Sequence, residues 1–251
     1  MPGKSNLIYK YDGSFDGLMC CVFESYYKRE IPMDIISPVQ LQTTFFPLKE
    51  IKTDLRKSSR VIDSIPKKIS ISALDFVRHA FLTCMPQKEL YIFLFLRRGY
   101  HYGPPVMEML ADDVVSSLFK AVKYLKNESH LIKGFLRFSV FKGGLVAQIE
   151  PKNYVLPLIT QHFCERYPEE YFLIYDKNHD MALVYNTHEP AIIPAEDLQV
   201  PEPDAREKYY RKLWKLFYNT VEIKERRNLK CRMGNMPKRY WKYMTEFASY
   251  Q

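Results

Sequence analysis

Cationic side chains that could bind phosphate groups are concentrated near the C-terminus, together with aromatic side chains that could stack on bases. Dispersed Lys and Arg side chains donate hydrogen bonds to phosphates, and Arg adds bidentate geometry. The basic candidates are Arg226, Arg227, Lys230, Arg232, Lys238, Arg239 and Lys242. The interleaved aromatic residues are Tyr240, Trp241 and Tyr243. We expect the cations to bind nucleic acid and Trp241 to support an unpaired base, with core packing as the competing interpretation for the aromatic residues.

The distribution of charge over the chain supports this expectation. The 251 residues carry a net charge of +8. Segment 206–242 holds 13 Lys or Arg and 3 Asp or Glu, a local charge of +10, so the remaining residues carry −2. A basic surface attracts nucleic acid or acidic lipid. Because acidic residues are scarce in this segment, a surface facing a polyanion is favoured over a solvated basic face.

A second group of candidates lies in the middle of the chain. His162 and Arg166 are four residues apart on a predicted helix, so both lie on one face. His can transfer a proton near neutral pH, and Arg can hold a phosphate or an oxyanion. Arg137 stands among alternating apolar residues, where it needs a partner or a ligand. Structural hydrogen bonding is the alternative role for all three side chains.

The third group surrounds the first predicted helix. Asp12, Asp16 and Glu24 flank the adjacent Cys20 and Cys21. A carboxylate or a thiolate at a helix start can be chemically active. The alternative is that Asp16 interacts with the helix dipole and that the cysteines pack in the core.

Several catalytic and cofactor motifs are absent from the sequence. There is no GxxxxGK[ST] phosphate loop, no GxGxxG fingerprint after a strand and no CxxC pair. The closely spaced cysteines of a radical-SAM iron–sulfur site and the HxE…PCxxC pattern of zinc deaminases are also missing. We therefore expect no metal and no cofactor, and any catalysis would be metal-independent or would use an unfamiliar site.

Cysteine usage and hydropathy bear on the compartment. The five cysteines are odd in number, and no secretory apolar segment follows Met1. The longest apolar run, 90–96, is shorter than the roughly 20 residues that a membrane-spanning helix needs. We expect a cytoplasmic protein with reduced thiols and no membrane association.

Helix caps and hydrophobic spacing predict the elements that position these candidates. Ser14 is a candidate N-cap, Ser72 with Asp75 forms a capping-box pattern, and so does Asp204 with Glu207. The predicted elements are a weak strand at 8–11, helices from 15, 72, 89 (alternatively a strand) and 104, a hairpin at 135–150, a helix at 157–165, a hairpin at 171–185, and helices from 204 and 237. Residues 28–50 and 186–203 contain several prolines and are expected to be irregular.

This order of elements predicts an α+β fold. The β-β-α-β-β order in the middle of the chain implies a small antiparallel sheet packed with several helices, followed by a basic helical C-terminal region. We expect a mainly helical part at 1–127, the β-β-α-β-β part at 128–200 and the basic helical part at 201–251, packed as one compact unit.

Motifs spread over almost the whole chain resemble a bacterial family of DNA-metabolism or DNA-repair proteins of unknown function. The matching runs are YDGSFDGLMCCVFE at 11–24, GFLRF at 134–138, IEP at 149–151, HFCER at 162–166, IYD at 174–176 and MPKRYWKYMTE at 236–246. The resemblance implies genes encoded beside a radical-SAM repair protein, and longer relatives joined to a uracil-DNA-glycosylase-like domain. It implies partners of these two kinds and transfers no catalytic residue.

The sequence leaves three functions open. The first is a DNA-binding accessory protein of a radical-SAM repair enzyme, acting through the basic C-terminal surface. The second is an enzyme that removes bases or cleaves strands. Its candidate acid–base and anion-binding groups are Asp12, Asp16, Glu24, His162 and Arg166. The third is a protein-interaction module whose basic face meets an acidic partner.

Overall fold

The computed structural model describes residues 6–38, 45–141, 143–200, 202–223, 225 and 228–247. The chain divides into two compact units, Met1–Leu125 and Lys126–Gln251. No helix in these described stretches combines the length and the apolar character that a membrane-spanning segment requires.

The first unit combines a three-stranded parallel sheet with helices. Its strands lie in the order β2-β1-β3. In chain order, the elements are β1 (Ile8–Lys10), α1 (Phe15–Lys28), β2 (Asp34–Ile36), β3 (Leu48–Glu50), α2 (Leu55–Lys68), α3 (Ile71–Phe81), α4 (Lys88–Tyr102), a 3₁₀ helix (Pro104–Glu108) and the start of α5 (Asp113–Phe135). Leu18, Met19, Phe93, Phe95 and Leu118 are fully buried in its core.

The second unit contains a five-stranded mixed sheet in the order β4-β5-β6-β7-β8. In chain order, its elements after α5 are β4 (Ser139–Phe141), β5 (Gly144–Ile149), α6 (Leu156–Arg166), β6 (Phe172–Asp176), β7 (Met181–Asn186), β8 (Glu189–Pro194), α7 (Ala205–Val221), α8 (Leu229–Asn235) and a 3₁₀ helix (Lys238–Tyr243). Alternate residues such as Ala147, Ile174 and Leu183 form the buried face of the sheet.

The α+β fold class is confirmed, and so are both hairpins and the helices at α1, α6 and α7. The hydroxyl of Ser14 accepts a hydrogen bond from the backbone N–H of Gly17, as its role of N-cap requires. Asp204 accepts one from the N–H of Glu207 in the same way. The sheet is not purely antiparallel, because β5 and β6 are parallel. Helix α6 forms the connection between them, and a crossover of this kind returns the chain in the same direction.

Several boundaries differ from the predicted ones. The N-cap of α3 is Ser70 rather than Ser72. The segment that starts at Pro104 is a short 3₁₀ helix, and the long helix begins only at Asp113. The C-terminal segment predicted as a helix from 237 is also a 3₁₀ helix. Residues 186–203 include strand β8, whose Pro190 and Pro194 are tolerated because β8 lies at the edge of the sheet.

Helix α7 keeps its apolar face exposed. Apolar residues recur along this helix at helical spacing, a pattern that is typical of a face packed against a core. Within α7, all of whose residues are described, no side chain is buried. The stripe residues retain 42 to 61% of their accessible surface, and they are Tyr210, Leu213, Trp214, Phe217 and Val221.

Candidate nucleic-acid interface

A cavity of about 640 Å³ in the second unit brings basic and aromatic side chains together. We call it the arginine cleft, after its basic lining residues Lys133, Arg137, Arg166 and Arg211. Its aromatic lining residues are Phe138, Phe163, Tyr167, Tyr210 and Trp214. Glu207 is the one carboxylate in the described lining. The lining therefore carries an excess of positive charge beside aromatic rings.

Each cation of the arginine cleft comes from a different element or loop. Lys133 lies in the last turn of α5, and Arg137 follows in the loop before β4. Arg166 is the last residue of α6, and Arg211 lies on α7. A cation at the C-terminal end of a helix interacts favourably with the unpaired carbonyls there. Lys133 and Arg166 therefore occupy positions that suit positive charge.

Arg137 has the internal partner that a half-buried guanidinium needs. Its Nη2 donates to Oε1 of Glu246 at 2.8 Å, and its Nη1 donates to the carbonyl of Gly134 at 3.0 Å. The indole Nε1 of Trp214 donates to the other oxygen of Glu246 at 3.3 Å. The side chain of Glu246 is only 4% exposed. This carboxylate thus orients both Arg137 and Trp214 at the cleft.

Arg211 is also held in place by neighbours. Its Nε donates to Oε1 of Glu207, one helical turn earlier, at 2.9 Å. Its guanidinium also donates to the hydroxyl of Ser139 on β4. These contacts neutralise part of its charge and fix its direction.

Lys133 and Arg166 differ from the other two cations. Neither forms an ion pair with a carboxylate among the residues that the structure describes. Arg166 is exposed, and its guanidinium lies 5.8 Å from the ring centroid of Tyr167. These two charges are therefore available to an anion that enters the arginine cleft.

His162 lies one turn before Arg166 on α6 and packs edge-on against Phe163, with ring centroids 5.0 Å apart. Its Nε2 is buried and has no hydrogen-bond partner among the described residues. Burial, followed by the positive charges of Lys133 and Arg166, lowers the pKa of His162 below its ordinary value of 6.5. The imidazole is therefore neutral at physiological pH. His162 is not among the described residues that line the arginine cleft.

Three of the seven predicted C-terminal cations form ion pairs with carboxylates. Arg226 and Arg227 lie outside the described residues. Arg232 contacts Glu222 at 2.6 Å, Arg239 contacts Glu128 at 2.8 Å, and Lys242 contacts Glu150. Lys230 and Lys238 are exposed. Glu128 and Glu150 lie outside segment 206–242 and offset part of its charge of +10, whereas Glu222 lies inside the segment and is already counted in that charge.

Trp241 is packed rather than presented to solvent. Its Nε1 donates to the carbonyl of Met236 at 3.0 Å, and its ring stacks on Phe247 with centroids 4.7 Å apart.

Lys242 lines a smaller cavity of about 270 Å³, and Arg137 and Arg211 line both this cavity and the arginine cleft. Three of the site residues predicted from the sequence therefore line these two adjoining cavities, namely Arg137, Arg166 and Lys242.

Asp12, Asp16 and Glu24 belong to the first unit, where each has bonded partners. Asp12 accepts hydrogen bonds from the hydroxyls of Ser14 and Thr53, both at 2.7 Å. These bonds outweigh burial and hold the pKa of Asp12 below 3.8. The contacts of Asp12 tie the loop before α1 to the segment before α2.

The other two acidic candidates also contact α2 or its neighbours. Asp16 accepts a hydrogen bond from the buried hydroxyl of Ser58 at 2.6 Å. Glu24 lies 3.7 Å from the amine of Lys49 and 3.8 Å from that of Lys57.

The adjacent thiols of Cys20 and Cys21 on α1 are buried, and burial raises the pKa of both. They are therefore protonated at physiological pH.

Two cations of the arginine cleft, Lys133 and Arg211, are not among the residues that the sequence motifs identify. Lys133 stands four residues before Arg137 and next to the GFLRF motif, which is the signal that could have identified it. Arg211 lies on the polar face of α7, where sequence alone does not distinguish it from neighbouring cations. Its place in the cleft depends on its contact with Ser139.

Comparison with known proteins identifies the family of the chain. Residues 86–246 match the family model DUF4130, a domain of unknown function. The match includes every described residue that lines the arginine cleft. A comparison with curated proteins finds no match. Because the matched segment covers more than half of the 251 residues, the chain belongs to the DUF4130 family.

Proposed function

We propose that this protein binds DNA during DNA repair or DNA metabolism and that the arginine cleft is its contact surface. The observation that carries the proposal is the position of Lys133 and Arg166, two cations without a carboxylate partner among the described residues, in one aromatic-lined cleft. Phosphate groups of the DNA backbone would replace water around these charges, and the released counterions would favour binding. The accessory role beside a radical-SAM repair enzyme rests on the motif resemblance.

Unpaired bases suit this cleft better than a closed duplex does. Tyr210 and Trp214 remain 53% and 43% exposed, so their rings have free surface for stacking. Base stacking on aromatic side chains is tolerant of sequence, and it contributes roughly 1–3 kcal/mol per base. Arg137 and Arg211 are already oriented by Glu246 and Glu207, so little side-chain freedom is lost on binding. We therefore propose single-stranded DNA, or an unpaired segment, as the ligand.

The test compares Arg166→Gln with Lys177→Gln. Both changes remove one exposed positive charge from the second unit, but Lys177 lies in the turn after β6 and does not line the arginine cleft. Binding of single- and double-stranded oligonucleotides is measured by fluorescence anisotropy over a series of salt concentrations. Arg166→Gln is expected to weaken single-strand binding about tenfold and to reduce the salt slope by about 0.7. Lys177→Gln is expected to bind like the unmodified protein.

Two outcomes would overturn the proposal. Affinity that does not change with salt would mean that no phosphate contacts are made. Equal effects of Arg166→Gln and Lys177→Gln would mean that overall charge, and not the arginine cleft, controls binding. Far-UV circular dichroism of each variant shows whether it folds as the unmodified protein does.

A second candidate function, an enzyme acting on DNA by base removal or strand cleavage, is favoured by one observation. His162 is neutral and lies one turn from Arg166, so an acid–base group stands near an anion-binding group. Activity on base-damaged and on single-stranded DNA is compared for the unmodified protein and His162→Gln. Activity that persists in His162→Gln would remove His162 from the mechanism.

The partners implied by the motif resemblance are a radical-SAM protein and a uracil-DNA-glycosylase-like protein. Co-purification of this chain with each candidate is measured with and without nuclease. A complex that survives nuclease supports direct protein contact. A complex that is lost with nuclease means that DNA bridges the two proteins.

A further inference from the structure

The first unit has a cavity of its own, which is also basic and aromatic. It measures about 510 Å³ and lies among α1, α2 and α4. We call it the aromatic groove. Its aromatic and basic lining residues are Phe23, Tyr26, Tyr27, Arg60, Lys68 and Tyr100. Two cations and no carboxylate stand in its described lining.

The aromatic rings form two contacting pairs. Tyr26 meets Tyr100 edge-on with ring centroids 5.6 Å apart, and Phe23 stacks on Tyr27 at 6.2 Å. The hydroxyl of Tyr100 is held by the hydroxyl of Ser64 at 2.7 Å, which fixes the floor of the groove. Tyr26 and Tyr27 are 45% and 70% exposed. The amine of Lys28 lies 5.2 Å from the ring centroid of Tyr27, and Lys28 is itself exposed. A planar ring can therefore reach Tyr27 by displacing this lysine and without displacing the core.

The cations lie beside these rings. The guanidinium of Arg60 is 5.3 Å from the ring centroid of Phe23, and the amine of Lys68 is 5.9 Å from that of Tyr100. Neither cation forms an ion pair with a carboxylate among the described residues. Burial raises the pKa of Tyr26 and Tyr100, so both phenols stay neutral and the groove keeps its positive charge.

From this arrangement we infer that the aromatic groove is a second nucleic-acid-binding site, which takes a base and the attached phosphate of a single strand. Stacking on Tyr27 or Tyr26 holds the base, and Arg60 and Lys68 hold the phosphate. An acidic peptide would use the two cations but would leave the aromatic surface unused. This second site goes beyond the proposed role of the arginine cleft, because its residues belong to the first unit and Phe23 to Lys68 precede the matched family segment.

The experiment uses the full chain with matched control variants. Tyr27→Ala is compared with Tyr124→Ala, because Tyr124 is 72% exposed in the same unit but does not line the groove. Arg60→Gln is compared with Arg56→Gln, one turn earlier on α2 and outside the described lining. Each change is made in the unmodified chain and in the Arg166→Gln chain, in which the arginine cleft is weakened. The probe is a single-stranded oligothymidine, measured by anisotropy.

Tyr27→Ala and Arg60→Gln are each expected to weaken binding by roughly 5- to 100-fold in the Arg166→Gln chain, the range that one lost stacking or phosphate contact implies. Tyr124→Ala and Arg56→Gln are expected to leave it unchanged. A probe with 5-iodouracil, crosslinked by light, is expected to attach to the peptide that contains Tyr26 and Tyr27.

Three results would overturn the inference. The first is unchanged affinity in both groove variants. The second is the absence of crosslinks to α1. The third is competition by polyglutamate as effective as that by unlabelled oligothymidine, which would show a cation site without base recognition. If the groove variants have no effect while Arg166→Gln abolishes binding, the arginine cleft is a binding site and the aromatic groove is not. If the groove variants weaken binding while Arg166→Gln has no effect, the aromatic groove is a binding site and the arginine cleft is not.

Discussion

Replacing Glu128 by Ala should strongly destabilise the second unit, because this buried carboxylate joins several parts of it. Glu128 lies on α5, and its side chain is only 3% exposed. One oxygen accepts from the backbone N–H of Lys152 at 3.1 Å and pairs with Arg239 at 2.8 Å. The other accepts from the backbone and side-chain amides of Asn153 at 2.8 and 2.6 Å. Tyr240 approaches the first oxygen at 3.5 Å.

The size of the expected destabilisation follows from how deeply the groups that donate hydrogen bonds to Glu128 are buried. A buried donor that loses its acceptor costs about 1–3 kcal/mol, and the two amides of Asn153 both lose theirs. The side chain of Arg239 is 40% exposed, so it regains water and adds little. We therefore expect Glu128→Ala to lower the free energy of unfolding by about 3–5 kcal/mol, as for other buried pairs that lose one partner. Glu128→Gln keeps the shape and one acceptor, so roughly half of this loss is expected.

The assay is urea unfolding followed by tryptophan fluorescence. The chain has two tryptophans, Trp214 and Trp241, and both lie in the second unit. Their signal therefore reports the unit that contains Glu128 and avoids mixing two transitions. Glu170→Ala is the matched control, because Glu170 is exposed and close to β6 in the same unit.

A loss of unfolding free energy below about 1 kcal/mol for Glu128→Ala would refute the reasoning, because removing a buried carboxylate with these partners must cost more than that. An equal loss for Glu170→Ala would point to a general effect of charge instead. A loss seen only at low salt would identify a surface interaction.

Three further predictions concern pH, packing and thiols. The pKa of His162 is lower in the folded protein than its ordinary 6.5, so the unfolded chain takes up the proton first and stability should fall as pH drops below 6.5. The urea midpoint over a pH series should fall less steeply for His162→Gln; identical pH profiles would contradict this. A Cβ on Gly17 would lie 2.2 to 2.9 Å from three side chains, so Gly17→Ala should cost about 1–3 kcal/mol in thermal unfolding followed by circular dichroism. Gly134→Ala, whose Cβ would meet nothing within 4 Å, is the control, and equal melting temperatures would refute the steric argument. A thiol reagent should react first with Cys84 and Cys231, which are exposed, and with the buried pair of α1 only on unfolding. Peptide mapping of the labelled sites checks this order, and early labelling of the pair would contradict it.

Local signals in the sequence predicted many of the elements. Ser14 and Asp204 mark helix starts because a side-chain oxygen satisfies a free N–H within three residues. The Gly143-Gly144 turn marks the β4–β5 hairpin in the same local way. Helix α2 was not predicted; it contains Pro66 and buries only Ser58, Val61 and Ile65.

Contacts between distant residues decided the candidate sites. The sequence singled out Arg137 and Arg166 separately, but their place beside Lys133 in one cleft depends on how α5, α6 and the sheet pack. The charge count predicted the excess of cations near the C-terminus. It could not show that Glu128 and Glu150 neutralise two of them, because those pairs join residues far apart in the chain.

Caps, turns and hydrophobic periods act over a few residues, so the α+β class, most helix starts and the hairpins can be predicted from the sequence alone. The parallel pairing of β5 with β6, and the choice of which cations keep free charge, arise from contacts between distant residues in the folded chain. Strand direction and ion pairing are properties of neighbours in space, and the physical cause lies in packing that no local pattern records.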